Sequence, residues 1–211
     1  VQCHKYTSPD PSEPSHSTLI FTHGAGGTLS APAVVNFCRG FSNSQSVHAF
    51  QGSMNLAARV KGFHACLENL RSVRAKGQKK TTTLQIVFGG RSMGARAAVM
   101  AASHVIGQAQ NDGGEKPAIR LILVSYPLKG PKDDIRDQIL LDLSELVTVL
   151  FVIGDRDSMC PLDLLESVRG KMKAKSQLVV VKGADHGMHV KPAKREREVG
   201  EESGQLAAEW V

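Results

Sequence analysis

The four cysteines of this 211-residue chain, Cys3, Cys38, Cys66 and Cys160, form no C-x-x-C pair and no metal-ligand spacing, which argues against zinc sites, dithiol redox motifs and a disulfide framework. Reduced thiols in an intracellular protein, cytoplasmic or nuclear, are the expectation, and two of the four sit in apolar helical patterns where free thiols pack well. No stretch approaches the roughly 18 apolar residues of a membrane span. The polar, proline-rich start "VQCHKYTSPDPSEPSHS" lacks the apolar centre of a signal peptide. The chain opens on Val1, so an initiator or a longer N-terminal segment is expected to precede it. No internal repeat is visible, and no long block carries charge of one sign.

That last absence bears on partners. The net charge is +6 and the pI about 9.3, values that raise the question of nucleic acid. Lys and Arg are spread along the chain in short clusters, and residues 191–202 carry four basic and four acidic side chains, the pattern of a solvated helix face. Nucleic-acid binding is not expected. Hydrophobic content of 41% and charged content of 22% are ordinary for a globular protein, and the length suits one domain with a single substantial core. The expected organisation is one domain over residues 1–211, with an irregular N-terminal segment at 1–16 and a C-terminal helix or tail at 191–211.

What is present is a series of short apolar runs: "STLIFT" (17–22), "SVHAFQ" (46–51), "TLQIVF" (83–88), "IRLILVSY" (119–126), "VTVLFVIG" (147–154) and "QLVVVKG" (177–183). Near-continuous Val, Ile, Leu and Phe is what strands covered on both faces require. The runs are too short for helices and are bounded by Gly, Pro, Ser and Asp. Segments long enough for crossover helices lie between them, including 57–76 and 93–108, while "GQAQNDGGEKP" (107–117) reads as an exposed loop. The spacing predicts an α/β fold: about six strands in a mainly parallel sheet, helices on both faces, right-handed crossovers.

In such a sheet, ligands bind at the carboxyl ends of the strands, and chemistry-bearing residues collect there. "HGAGG" (23–27) follows the first run, "GGRSMGA" (89–95) the third, "GDRDSMCP" (154–161) the fifth and "GADHGMHV" (183–190) the sixth. A G-x-S-x-G pattern alone means little, but Ser92 falls where a strand turns tightly into a helix, with Gly90 and Gly94 giving room. There the backbone N–H of Met93, at the helix N-terminus, can face a developing oxyanion, and the "HGAGG" loop can bring a second donor, the N–H of Ala25. A serine hydroxyl needs a base, and His186 is favoured over His189 because it lies nearer the strand end. The base needs an acid, and Asp157 is favoured over Asp155, whose place directly after the strand suits tying down a turn. Asp185 is read as a loop-stabilising acid and His23 as a brace for the glycine loop. Arg91 and Arg96 are read as solvated or salt-bridged side chains, with an anionic substrate group as the alternative.

Ser92, Asp157 and His186 occur in the order Ser, Asp, His. With "FTHGAGG", "GGRSMGARAA", "IRDQILLDL", "VLFVIGDRDSMCP" and "VVVKGADHGMHV", the chain resembles α/β-hydrolases of the dienelactone-hydrolase-like kind from about residue 17 to 190. It is similar to the group that includes the testis-expressed α/β-hydrolase-like protein and the hydrolase-like domain of the third subunit of a nonspecific-lethal histone acetyltransferase complex. The resemblance implies an α/β-hydrolase fold with Ser92, Asp157 and His186 as the triad. Serine stands where true dienelactone hydrolases carry cysteine, so their substrate is not carried over.

The expected activity is that of a serine hydrolase, a carboxylic ester hydrolase by type, on ester-like bonds, thioesters and amides among them, in a small-molecule acyl substrate, with no cofactor and no metal. The connection over residues 127–146 is too short for a helical cap domain, which favours short or exposed acyl groups. The alternative is an interaction module that keeps the fold and binds a protein partner with little or no catalysis. No membrane partner is expected.

Overall fold

A computed structural model of the chain describes residues 2–7, 17–77, 85–113 and 117–211. Seven strands form one sheet in the order β1-β3-β2-β4-β5-β6-β7: β1 (Cys3–Tyr6), β2 (Thr18–Thr22), β3 (Ser46–Phe50), β4 (Ile86–Arg91), β5 (Ile119–Val124), β6 (Val147–Gly154) and β7 (Lys175–Val181). β2 to β7 pair in parallel with one another. β1 is antiparallel to β3, pairing Cys3 with Phe50 and Tyr6 with Val47. The sheet thus has one strand more than the sequence predicts, inside a segment expected to be irregular. The four residues of β1 are largely exposed, so the ladder to β3 orders them without the buried alternation that marks a strand in sequence.

Each central strand alternates between two cores. In β6, Val147, Val149, Phe151 and Ile153 face one core while Leu150 and Val152 face the other; this is the period of two expected of a strand buried on both faces. The first core is closed by α2 (Leu56–Gly77), α3 (Met93–Asn111), the short α4 (Gln138–Leu141) and α5 (Leu162–Arg169). The second is closed by α1 (Pro32–Phe41) and α6 (Glu196–Trp210). Proline opens α1 where its missing N–H costs nothing, and Val34, Phe37, Cys38 and Phe41 form its buried stripe at helical spacing. In α3, Ala95, Ala97, Ala98, Ala101 and Ala102 are buried, small enough to seat the helix close on the sheet and strong in helix propensity.

Two boundaries differ from the sequence reading. β4 runs on through Gly89, Gly90 and Arg91, which pair with Ile122, Leu123 and Val124 of β5; glycine carries no apolar signal, yet its backbone continues the ladder. Of the expected start of this strand, residues 83 and 84 lie outside the described residues. The helix after it extends to Asn111, into the expected loop, of which residues 114–116 lie outside the described residues. At the C-terminus, α6 occupies most of the segment read as a helix or tail.

The topology fixes where a ligand site forms. β2 and β4 are neighbours, but α1 after β2 packs on one face of the sheet and α3 after β4 on the other. Loops leaving adjacent strands in opposite directions open a crevice at the carboxyl ends. The "HGAGG" loop and Ser92 sit on its two sides.

Candidate active site

Ser92 joins β4 to α3 with φ 53° and ψ −117°, a left-handed backbone that a non-glycine residue adopts only under constraint. The constraint is close packing. A Cβ on Gly90 would lie 2.4 Å from the carbonyl carbon of Gly94, and one on Gly94 would lie 2.5 Å from the Thr22 carbonyl oxygen, so both flanking positions need glycine. The Ser92 N–H donates to the Val124 carbonyl (2.9 Å), anchoring the turn to β5. Met93 opens α3, where backbone N–H groups have no carbonyl acceptor within the helix.

The Ser92 Oγ lies 2.9 Å from His186 Nε2. The other ring nitrogen, Nδ1, lies 2.9 and 3.0 Å from the two carboxylate oxygens of Asp157. An ionised carboxylate only accepts, so Nδ1 carries the proton and Nε2 is left to accept from the serine hydroxyl. The Asp157 side chain is fully buried and the His186 side chain 22% exposed, and Asp157 also accepts the Met159 N–H (2.9 Å). Its carboxylate is therefore held in one orientation. Asp155 faces away from this group: it is exposed, and its Oδ1 accepts the Gly183 N–H at 2.6 Å.

His189 pairs with Asp185 at 3.2 Å, both largely exposed. Asp185 also accepts the N–H groups of Gly187 (2.7 Å) and His189 (3.0 Å), closing the turn that carries His186. Partial burial pushes the Asp185 carboxyl up, but the hydrogen bonds from His189 and Gly187 outweigh it and hold the group below the usual carboxylate range.

On the opposite side of Ser92, a Cβ on Gly24 would lie 3.3 Å from Ser92 Cβ, so the loop bearing Ala25 adjoins the serine, with Ala25 itself exposed. His23 braces this loop. Its Nε2 accepts the Gly52 N–H (3.0 Å), so Nδ1 carries the proton and donates to the Gly24 carbonyl (2.7 Å). Burial lowers its pKa and favours this neutral form.

Arg91 is partly exposed, and its Nη2 donates to the His186 carbonyl (2.6 Å), tying the strand before Ser92 to the loop of the histidine. Arg59, which the sequence reading passed over, is wholly buried. Its guanidinium donates to the carbonyls of His23, Gly24, Gly52 and Ser53. A signal existed, since Arg59 interrupts the apolar stripe of α2 that Val60, Phe63 and Leu67 form. The loop after β3, residues 52–55, reaches the same place through Met54, whose Sδ accepts the Gly26 N–H (2.9 Å).

A cavity of about 180 Å³, mainly apolar, opens beside the crevice, with Phe37, Val124 and Met188 in its wall next to Arg91 and Gly187. Between β5 and β6 the one helix is the four-residue α4, so among the described residues no inserted cap of domain size covers the carboxyl ends. Among the described residues, no helix is long and apolar enough to cross a membrane.

A doubly wound, lidless sheet with a strained serine at a strand-to-helix turn is the architecture of an α/β hydrolase. The alpha/beta hydrolase domain model matches residues 15–210, and the chain belongs to that family. Its fold is similar to that of an alpha-beta serine hydrolase homologue from Coxiella burnetii, at 19% identity and a TM-score of 0.70, over 97% of this chain and 90% of that one. Est1E from Butyrivibrio proteoclasticus matches at 15% identity and a TM-score of 0.68, over 98% and 93% of the two chains. A lidless α/β serine hydrolase from Xanthomonas campestris matches at 18% and 0.66, over 99% and 88%.

Proposed function

We propose that the protein is a serine hydrolase acting on ester-like bonds, thioesters and amides included, with Ser92 as nucleophile, His186 as base and Asp157 as the acid that orients it. One observation carries the reading: the unbroken chain of contacts from Ser92 Oγ to His186 Nε2 (2.9 Å) and from His186 Nδ1 to a buried Asp157 (2.9 Å). A serine in a satisfied surface turn has no need of a histidine whose tautomer is fixed by a second group.

His186 takes the proton of Ser92 as its Oγ attacks the acyl carbon. The N–H groups of Met93 and Ala25 receive the negative charge that develops on the carbonyl oxygen. Asp157 stabilises the imidazolium, which then protonates the leaving group. Water, activated by the same histidine, releases the acid and restores Ser92. Only the neutral imidazole serves as base. The open crevice and the small apolar cavity beside it favour short acyl groups.

The test is hydrolysis of p-nitrophenyl esters of increasing chain length. Short chains should be turned over fastest and Ser92→Ala should remove nearly all of the activity. If Ser92→Ala matches the wild type, Ser92 is not the nucleophile; if the wild type hydrolyses no ester, thioester or amide offered, a protein-interaction role on a hydrolase fold takes precedence.

A further inference from the structure

Among the described residues, the buried arginine of α2, Arg59, has no carboxylate partner. Its Nε donates to the Ser53 carbonyl (2.8 Å), Nη2 to that of Gly52 (3.4 Å), and Nη1 to those of His23 and Gly24 (the latter at 3.4 Å). Removing a full charge from water is costly, and burial without a counter-ion lowers the guanidinium pKa to about 10. A leucine or methionine would fill the same volume without that cost. The position therefore calls for an explanation beyond packing.

The acceptors supply one. Gly24 C=O belongs to the same peptide unit as Ala25 N–H, and this carbonyl receives Arg59 Nη1, His23 Nδ1 (2.7 Å) and the Gly27 N–H (3.4 Å). In a trans peptide the C=O and N–H point in opposite directions. Three donors gathered on the inner, carbonyl side turn the Ala25 N–H outward, to the open side of a loop whose Gly24 adjoins Ser92. A cation on the carbonyl oxygen also draws electron density from the amide, which strengthens its N–H as a donor.

We propose that Arg59 is a positioning residue for the reaction: by holding the carbonyls of His23 and Gly24 it aims and polarises the Ala25 N–H as an oxyanion donor, and by holding Gly52 and Ser53 it locks this loop to the one after β3. The inference rests on the serine-hydrolase reading and on Ala25 as a donor within it. His23 is the second clamp on the same peptide, so Arg59 acts with it and not alone. The benefit appears only as charge develops on the substrate oxygen, so it belongs to the transition state and not to substrate binding.

Steady-state hydrolysis of p-nitrophenyl acetate and inhibition by phenylboronic acid, whose serine adduct places an oxygen in the oxyanion position, test this on wild type and Arg59→Lys. The lysine keeps the charge but reaches fewer carbonyls. Loss of one oxyanion donor costs about 100- to 1000-fold in kcat, and misdirecting one while His23 remains should cost on the order of 10- to 100-fold, with KM within about threefold and the boronate inhibition constant rising in parallel. Gly52→Ala is a second route to the same displacement, because its Cβ would lie 2.7 Å from Arg59 Nε and push the guanidinium aside with its charge intact. It should give the same split and serves if Arg59→Lys fails to fold. A folded variant that keeps kcat within about twofold, or that raises KM while leaving boronate affinity unchanged, overturns the role given to Arg59. A wild type that neither hydrolyses the ester nor binds the boronate overturns the serine-hydrolase reading instead.

Discussion

Two histidines on the loop after β7, His186 and His189, each pair with an aspartate, and the two pairs are built differently. His186 bonds Asp157 at 2.9 Å across two loops, with the acid side chain fully buried and the ring reaching Ser92. His189 bonds Asp185 at 3.2 Å within one turn, with side chains 67% and 51% exposed. The residue types are the same, and the distances nearly so. What separates them is burial and a third member: an exposed pair is screened and contributes little, whereas a buried carboxylate that also accepts the Met159 N–H has one orientation to offer and one histidine to fix. Proximity of a histidine to an aspartate is thus a poor guide to chemistry unless the pair is also held and pointed at something.

Substitutions along the two pairs should separate them by orders of magnitude. The largest effect belongs to His186→Gln, which removes the proposed base and should lower ester turnover by at least about 10⁴-fold, as removal of a triad member does elsewhere; a loss of less than tenfold in a folded variant breaks the distinction outright. Next comes Asp157→Asn, which preserves shape but leaves the wrong histidine tautomer, at about 10³- to 10⁴-fold. Asp155→Asn is its control: it replaces the carboxylate that accepts the Gly183 N–H with a weaker neutral acceptor, so thermal unfolding should show a cost of at most about 1 kcal/mol while kcat/KM stays within a few-fold.

Smaller effects belong to the exposed pair. Asp185→Asn weakens the turn that carries His186 and should reduce kcat/KM a few-fold at most. Because the folded Asp185 carboxyl titrates below its ordinary value, its stabilisation of the turn is present above the unfolded pKa and lost as pH falls through the lowered folded one. Hydrogen-exchange protection factors at Gly187 and His189 should therefore fall in acid in the wild type and show no such acid step in Asp185→Asn. The smallest effect is expected of His189→Gln, with kcat/KM within about twofold; a loss comparable to that of His186→Gln would mean that the two histidines had been assigned the wrong way round.

The parts of the molecule legible in sequence are those where one residue's chemistry announces its place. Apolar runs mark β2 to β7, the central ones because a strand buried on both faces must be apolar throughout, and the polar residues after them mark the carboxyl ends. Ser92, Asp157 and His186 fall in three such loops, and the structure brings them within hydrogen-bonding reach. β1 escapes notice because an exposed edge strand is ordered by its partner's backbone and needs no apolar pattern. Gly89 and Gly90 hide the last turn of the β4 ladder for a related reason, since pairing needs only backbone. Arg59 is the most instructive omission. One cation in a helical stripe reads as a surface residue, and its meaning lies in four carbonyls brought together from two loops, which no local spacing reveals.

Activation of Ser92 as a nucleophile through His186 and Asp157 would be read out by a fluorophosphonate probe with mass-spectrometric mapping of the modified peptide. Wild type should carry a single adduct on Ser92, Asp157→Asn should label far more slowly at the same site, and Ser92→Ala should carry none. An adduct on another serine, or equal labelling of wild type and Ser92→Ala, would contradict it.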